Sequence, residues 1–432
     1  MQERQIQTFL AYVWALGIVP TTDTVSADGQ DLIPNSDETQ IFDADAIKTE
    51  AELQAALSDP DTVAITLASD IITLEDLVVN RNDSIELNLN GFKIASLAQN
   101  ARVIDVQAGD IAILGLGSIV ATGIGASAIR VKGAMTADNV NYSRLTVGAD
   151  VTLYAPNYYG IFVTTNYNAA YGVAIDFYGS IIAHDGICIH GNIQGRGDNI
   201  PHLNIQDGAK IIADENDGSA LCAFGIGTWE IGAAELTGGI GLNAKSGLIN
   251  LRGANLIATG GSDAFPGSGA VIRLEDNFAR HIKLKIFGGS YLSVQGYTFY
   301  EHAELSGIFS LQNLEVYDGI FSGQLGICFG LAPRGSENAA TCIYGGKFNA
   351  DVSRYLAPEH HIEQNSTHSE YAVIDDTEPT EILDKAAQLK LARTNLEELI
   401  SIAKRYTKAS YAGNELGEVQ ATVNKIIGAI KR

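Results

Sequence analysis

The chain has 432 residues and a formal charge of −23, enough length for two or three ordinary domains or for one repeat domain. So acidic a composition excludes DNA and anionic membranes as natural partners and leaves neutral sugars or proteins. Forty-five glycines beside nine prolines and two methionines indicate many tight turns rather than a low-complexity linker.

Residues 1–46 read as a docking segment followed by a linker. "FLAYVWALGIVP" at 9–20 is uncharged and apolar, but too short to span a bilayer. Glu3 offsets Arg4, so the stretch before it lacks the positive charge of a signal peptide, although "VSA" at 25–27 has the form of a cleavage site. The run is expected to stand outside the main fold as a helix docked on a partner. Residues 21–46 are polar and acidic with few apolar anchors. No later segment has the pattern of a membrane span.

"KTEAELQAALSDP" predicts a short capping helix. Thr49 and Glu52 have capping-box spacing, Leu53 and Leu57 share a face, and Pro60 stops the helix. From Val63 the period changes to strand alternation, as in "TVAITLASDIITL" and "SIELNLNGFKIAS". Glycines leading into β runs recur at Gly91, Gly117, Gly148, Gly179, Gly208, Gly239, Gly261, Gly289, Gly319 and Gly346, at intervals of 22 to 31 residues. A period of this size means stacked units that cannot bury their apolar faces alone. Alternation without helical stretches excludes leucine-rich, ankyrin and TPR arrays. The expectation is an all-β chain, a right-handed parallel β-helix of about ten coils over 47–375. Inward Val, Ile, Leu, Ala and Cys stack from coil to coil, and glycine takes positive φ at the corners. A β-propeller, with longer and more regular blades, is the rival.

Two stretches carry a family resemblance. "KTEAELQAALSDPDTVAITLASDI" with "LVVNRNDSIELNLNGFKIAS" resembles the opening of pectin-lyase-like right-handed β-helix proteins. Such proteins are found on the surfaces of gut Gram-positive bacteria and in their phages. "YGGKFNADVSRYLAPEHHIEQNSTHSEYAVID" resembles their closing module. The resemblance implies the fold and says little about activity. On this reading Phe348, Tyr355 and Leu356 cover the open end of the β-helix and Asp351 caps a short turn.

Residues 376–432 differ again. Leu389, Ala392, Leu396, Leu399, Ala403 and Tyr406 step by three and four, as do Leu416, Val419, Val423, Ile426 and Ile430. This α-helical, heptad-like tail closes as a hairpin within one chain or pairs chains in a homo-oligomer. Partner contacts are therefore expected through 1–20 and 380–432.

The search for chemistry finds weak patterns. None of Cys188, Cys222, Cys328 and Cys342 forms a C-x-x-C pair, so zinc is not expected. Apolar neighbours mark them as buried free thiols, with a Cys328–Cys342 disulfide as the alternative. "RLEDNFARHIKLK", with Arg273, Glu275, Asp276, Arg280 and His281, is the nearest approach to a lyase cluster. Strand alternation separates its side chains, and it reads as a solvated outer face with one exposed ion pair. "AHDGICIHGN", with His184, Asp185 and His190, lacks the paired acids of a hydrolase and reads as a core strand. "ADENDGS" at 213–219 reads as an exposed acidic turn. The remaining signal is aromatic. Tyr158, Tyr159, Tyr167 and Tyr171, together with Tyr297 and Tyr300, are the candidate residues for binding a glycan or protein. No catalytic residue, metal or cofactor is expected. The expected role is a non-catalytic virion protein, a phage fibre or decoration protein. A secreted adhesin of a Gram-positive cell is the alternative, and a polysaccharide lyase or hydrolase a lesser one.

Overall fold

The computed structural model describes residues 46–376 except 134–142, 165–171, 191–199, 226, 262–266, 276–281, 303–313, 329–340 and 367–368. The apolar leader, the heptad-like tail, Tyr167 and Tyr171 lie outside the described residues. What is described is nearly all β, with one α-helix at Glu50–Ser58 and a single 3-10 turn at Ser353–Tyr355.

The helix forms as its sequence dictates. The Thr49 hydroxyl accepts the Glu52 N–H, and the Glu52 carboxylate accepts the Thr49 N–H at 3.0 Å. Both bonds satisfy donors that a helix start leaves unpaired. Leu53 and Leu57 are fully buried. The same face of the helix is tied to the first strands. Glu50 Oε1 accepts the N–H groups of Leu74 and Glu75. The Gln54 amide both accepts the Val78 N–H at 2.8 Å and donates to the Val78 carbonyl at 3.0 Å. Gln54 thus does for Val78 what a neighbouring strand would do.

Beyond the helix, strands pair in parallel with strands one repeat later. One column runs Ile65, Leu87, Ile113, Val147, Phe177, Ile205, Ile231, Leu251, Ile286, Val316, Ile343. A second runs Ile71, Ile94, Ile119, Leu153, Ile181, Ile211, Leu236, Leu256, Tyr291, Phe321, Phe348. A third runs from Leu77 through Ile104, Ile129, Ile161, Ile187, Leu221, Leu242 and Ile272 to Phe299 and Ile327. We call these the first, second and third strand sets. Long strands such as Arg102–Leu114 serve the third set and then the first, with a register shift between them. The three columns form one continuous buried cluster that also takes in Leu53 and Leu57. Parallel strands buried on the inner side read as Val, Ile and Leu alternating with polar residues. Near its end the second column changes from aliphatic to aromatic. Tyr291, Phe321 and Phe348 stack with ring centroids 4.7 and 4.6 Å apart.

The corner glycines divide into two kinds. Gly289 has φ +106, and a Cβ there would also lie 2.1 Å from the Ala254 carbonyl oxygen. Gly179 has ordinary φ, yet its Cβ would lie 2.5 Å from the Val151 carbonyl. Six of the ten recurrent glycines take positive φ, as expected, and at Gly91 and Gly208 nothing else requires glycine. Close approach of one repeat to the next explains Gly148, Gly179 and Gly239, whereas a Cβ at Gly261 would meet nothing nearer than 3.5 Å.

The expectation of parallel strands throughout 63–375 is corrected at its end. Lys347–Phe348 pairs antiparallel with Tyr371–Asp375, which pairs antiparallel with His360–Gln364. Reversal here gives the last parallel strand a partner that itself starts no further repeat, so the ladder stops. The turn between them is structural. Asp351 Oδ1 accepts the Ser353 N–H at 2.8 Å, the Asn349 amide exchanges hydrogen bonds with the Gly323 backbone, and Tyr355 and Leu356 pack on the core.

Phe321 lies between two parallel rings and against Phe299. Phe321→Ala is expected to cost about 3–5 kcal/mol in urea unfolding. A loss below about 1 kcal/mol would show that the stack can collapse onto the space and does not hold the end of the column.

Candidate functional site

In the third strand set the residues after the inward column point outward. In register they are Asp105, Arg130, Phe162, Cys188, Cys222, Asn243, Arg273 and Tyr300. Outward positions are expected to be solvated. Here Asp105, Phe162, Cys188, Cys222, Asn243 and Arg273 are all buried.

Two corrections follow. Cys188 does not stack in the main core. Its neighbours Ile187 and Ile189 do, while Cys188 joins Cys222, Tyr159 and Phe162 in a second buried cluster outside the strand set. Arg273 is buried rather than on a solvated face, with inward Leu274 beside it. Asp276, Arg280 and His281 lie outside the described residues.

The second cluster carries an aromatic run. Tyr158 and Tyr159 ring centroids are 4.0 Å apart, and Tyr159 stacks on Phe162 at 4.9 Å. Phe162 meets the His190 ring edge-on at 5.6 Å, and His190 meets Phe224 edge-on at 5.8 Å. A cation closes each end. The Arg102 guanidinium lies 5.7 Å from the Tyr158 ring and 5.8 Å from Phe162, and the Lys245 ammonium lies 4.5 Å from Phe224. Tyr158 and Phe224 are half-buried and His190 is exposed. The rings that reach solvent, His190 with parts of Tyr158 and Phe224, offer apolar surface to a ligand, and the cations favour its polar edges.

Of the candidate tyrosines, Tyr158 and Tyr159 are thus brought together. Tyr297 and Tyr300 form a separate pair, 5.4 Å between centroids, five repeats further on and hence about 24 Å away. The Tyr300 ring rests against Gly267, where a Cβ would come within 2.2 Å, so one of its faces is occupied. Burial and the Cys188 and Cys222 thiols raise the Tyr159 hydroxyl far above its ordinary range, and it stays protonated. Phe162 and Phe224 were missed in the sequence and His190 was read as part of a core strand, because single aromatic rings 28 and 34 residues apart gain meaning only through the register.

The charged groups beside the run are bound to neighbours in adjacent repeats. Arg130 grips Asp105 with two hydrogen bonds, 2.6 and 2.5 Å, and Gln107 donates to the same carboxylate at 2.7 Å. Asp185 Oδ1 accepts the Ser219 N–H at 2.7 Å, with the Cys222 thiol at 3.6 Å. His184 lies between two carboxylates, Nδ1 3.0 Å from Asp185 and Nε2 3.4 Å from Asp217. Within the 213–219 stretch Glu215, Asn216 and Asp217 form the exposed acidic turn expected, with His184 as its counter-charge, while Ala213 and Ser219 are buried. Cys188, Cys222 and Cys342 are free thiols. Burial raises the first two above the ordinary range, which makes them poor nucleophiles. Among the described residues no group of three or more His, Cys, Asp or Glu is placed to hold a metal ion.

Comparison with protein-family models, with curated proteins and with solved structures found no match to this chain.

The hydrogen bond to Asp185 raises His184 from 6.5 to about 8, with Asp217 and Asp214 adding to it against desolvation. A folded value above the unfolded one means that protonation favours the fold. The contribution is complete below pH 6.5 and lost as pH rises through about 8. The melting temperature is expected to fall over this window, and His184→Gln to flatten the fall. An equally steep fall in the variant would contradict the assignment.

Proposed function

We propose that this chain is a right-handed parallel β-helix that presents an adhesive surface and catalyses no reaction. Three in-register columns, each advancing one repeat per strand, support the β-helix reading. Right-handedness follows from the strong preference of parallel β crossovers for that hand. The observation that carries the adhesive reading is the aromatic run from Tyr158 to Phe224 with Arg102 and Lys245 at its ends. An open ring face flanked by hydrogen-bonding groups recognises a sugar or a peptide aromatic equally well. The acidic net charge favours a ligand without many anionic groups.

The same residues argue for binding rather than chemistry. A catalytic acid or base needs to reach a reacting atom. Asp105, Asp185 and Glu230 are each held by partners in the neighbouring repeat. Their hydrogen-bonding capacity is spent on joining repeats.

Location is inferred from the resemblance of the chain's two ends. On that basis the protein is a fibre or decoration component of a phage virion. A secreted adhesin on a Gram-positive cell uses the same surface in the same way. Mass spectrometry of purified virions and of cell-wall fractions separates these two.

Binding of the full chain to arrayed Gram-positive wall glycans and to host-cell proteins tests the reading. Tyr158→Ala and Phe224→Ala are expected to weaken the bound ligand about tenfold, ~1.4 kcal/mol. Unchanged binding in both would remove the run from the site. Release of reducing ends or of unsaturated uronates from those glycans would replace the adhesive reading with an enzymatic one.

A further inference from the structure

The outer side of the second strand set carries a mainly apolar column, interrupted by Thr237 between Ile212 and Ile257 and ended by Ser322. Its outward positions, in register, include Ile72, Val120, Ile182, Ile212, Ile257 and Leu292. Ile72, Ile212, Ile257 and Leu292 are exposed, and Val120 and Ile182 are partly so. The adjacent outward positions are polar, Lys93, Thr152, Lys210 and Glu235 among them. The result is a narrow, mainly apolar stripe with a polar margin on the Lys93 side and exposed Leu74, Leu97 and Val294 near the other. From Ile72 to Leu292 it crosses eight strand spacings, about 38 Å. Stripes of this extent on a protein surface mark a docking site.

The chain itself supplies an occupant. The last described strand, Tyr371–Asp375, joins the second set by pairing with Lys347–Phe348. The chain therefore leaves beside one end of the stripe, with residues 377–432 still to follow. Within them Leu389, Leu396, Leu399 and Tyr406 lie on one side at helical spacing. As a helix, 389–406 is about 27 Å long and fits within the stripe. Twelve residues, 377–388, reach up to about 40 Å, enough to arrive anywhere on it. Two helices seldom bury enough apolar surface alone, and the stripe offers what they lack.

We propose that residues 389–406 lie as an amphipathic helix along the outward stripe of the second strand set, covering Ile212, Ile257 and Leu292. The tail then folds back on its own chain, independently of what the aromatic run binds. This arrangement leaves the stripe unavailable for pairing with a second copy.

A benzophenone amino acid replacing Ile257 in the full chain tests this. Copies labelled with 14N and 15N are mixed, irradiated and digested, and the linked peptides are identified by mass. The expected link joins position 257 to a peptide within 389–406, with both halves carrying the same isotope. Mixed-isotope links would assign the stripe to a second copy and overturn the proposal, as would the absence of any link to 389–406. Leu396→Glu with Leu399→Glu is expected to abolish the link while the β-type circular dichroism persists. A link that survives both substitutions would equally overturn it.

Discussion

Everything in this molecule follows from parallel pairing in register. When each strand lies on its counterpart one repeat later, every side chain meets its equivalent at about 4.8 Å. Inward positions then have to be apolar, or hydrogen-bonded to the neighbouring repeat as the buried Ser96 and Ser293 are, because an unpaired polar group would break a column shared by its neighbours. The columns through Ile65, Ile71 and Leu77 obey this without interruption. The same constraint acts on the outside with opposite effect. Identical charges would stack, so successive repeats carry complementary groups: Asp105 with Arg130, Asp176 with Asn204, Lys210 with Glu235, Lys285 with Glu315. The exposed pairs are worth about 0–1 kcal/mol each; their main effect is to hold the register.

A stacked fold of this kind exposes its core at both ends, and the two ends are closed differently. At the start, the Glu50–Ser58 helix places Leu53 and Leu57 over the first repeat, while Glu50 and Gln54 saturate backbone groups that have no preceding strand. At the finish, the hairpin of His360–Gln364 and Tyr371–Asp375 reverses direction, so that the edge no longer offers a parallel template. Both solutions remove unpaired backbone donors and acceptors from a surface that would otherwise recruit another strand.

The parts legible in the sequence are those governed by local rules. Thr49 and Glu52 announce the helix start, and strand alternation with recurrent glycine announces the repeats. Chemistry that depends on register was not legible. Phe162, His190 and Phe224 stand far apart in the sequence, and only the pairing sets them in one run. Cys188 reads as a core residue because Ile187 and Ile189 flank it, yet alternation turns it outward into a different apolar cluster. The glycines announced the corners, and six of the ten take the positive φ expected there, but Gly179 and Gly239 are needed for space instead. The antiparallel close was hidden because His360–Gln364 and Tyr371–Asp375 alternate like any other strands.

The aromatic run matters because it is built on a surface whose spacing the register sets. Its rings can hold a ligand in place only if the repeats beneath them do not slip. Distances between spin labels measure that register directly. With the native cysteines replaced by serine, labels at Lys93 and Lys210 are separated by four strand spacings, and labels at Lys93 and Lys347 by nine. Pulsed electron resonance is expected to give backbone separations of about 19 and about 43 Å, in proportion to the number of repeats crossed. Separations that do not scale with repeat number would contradict the parallel, in-register stack on which the whole account rests.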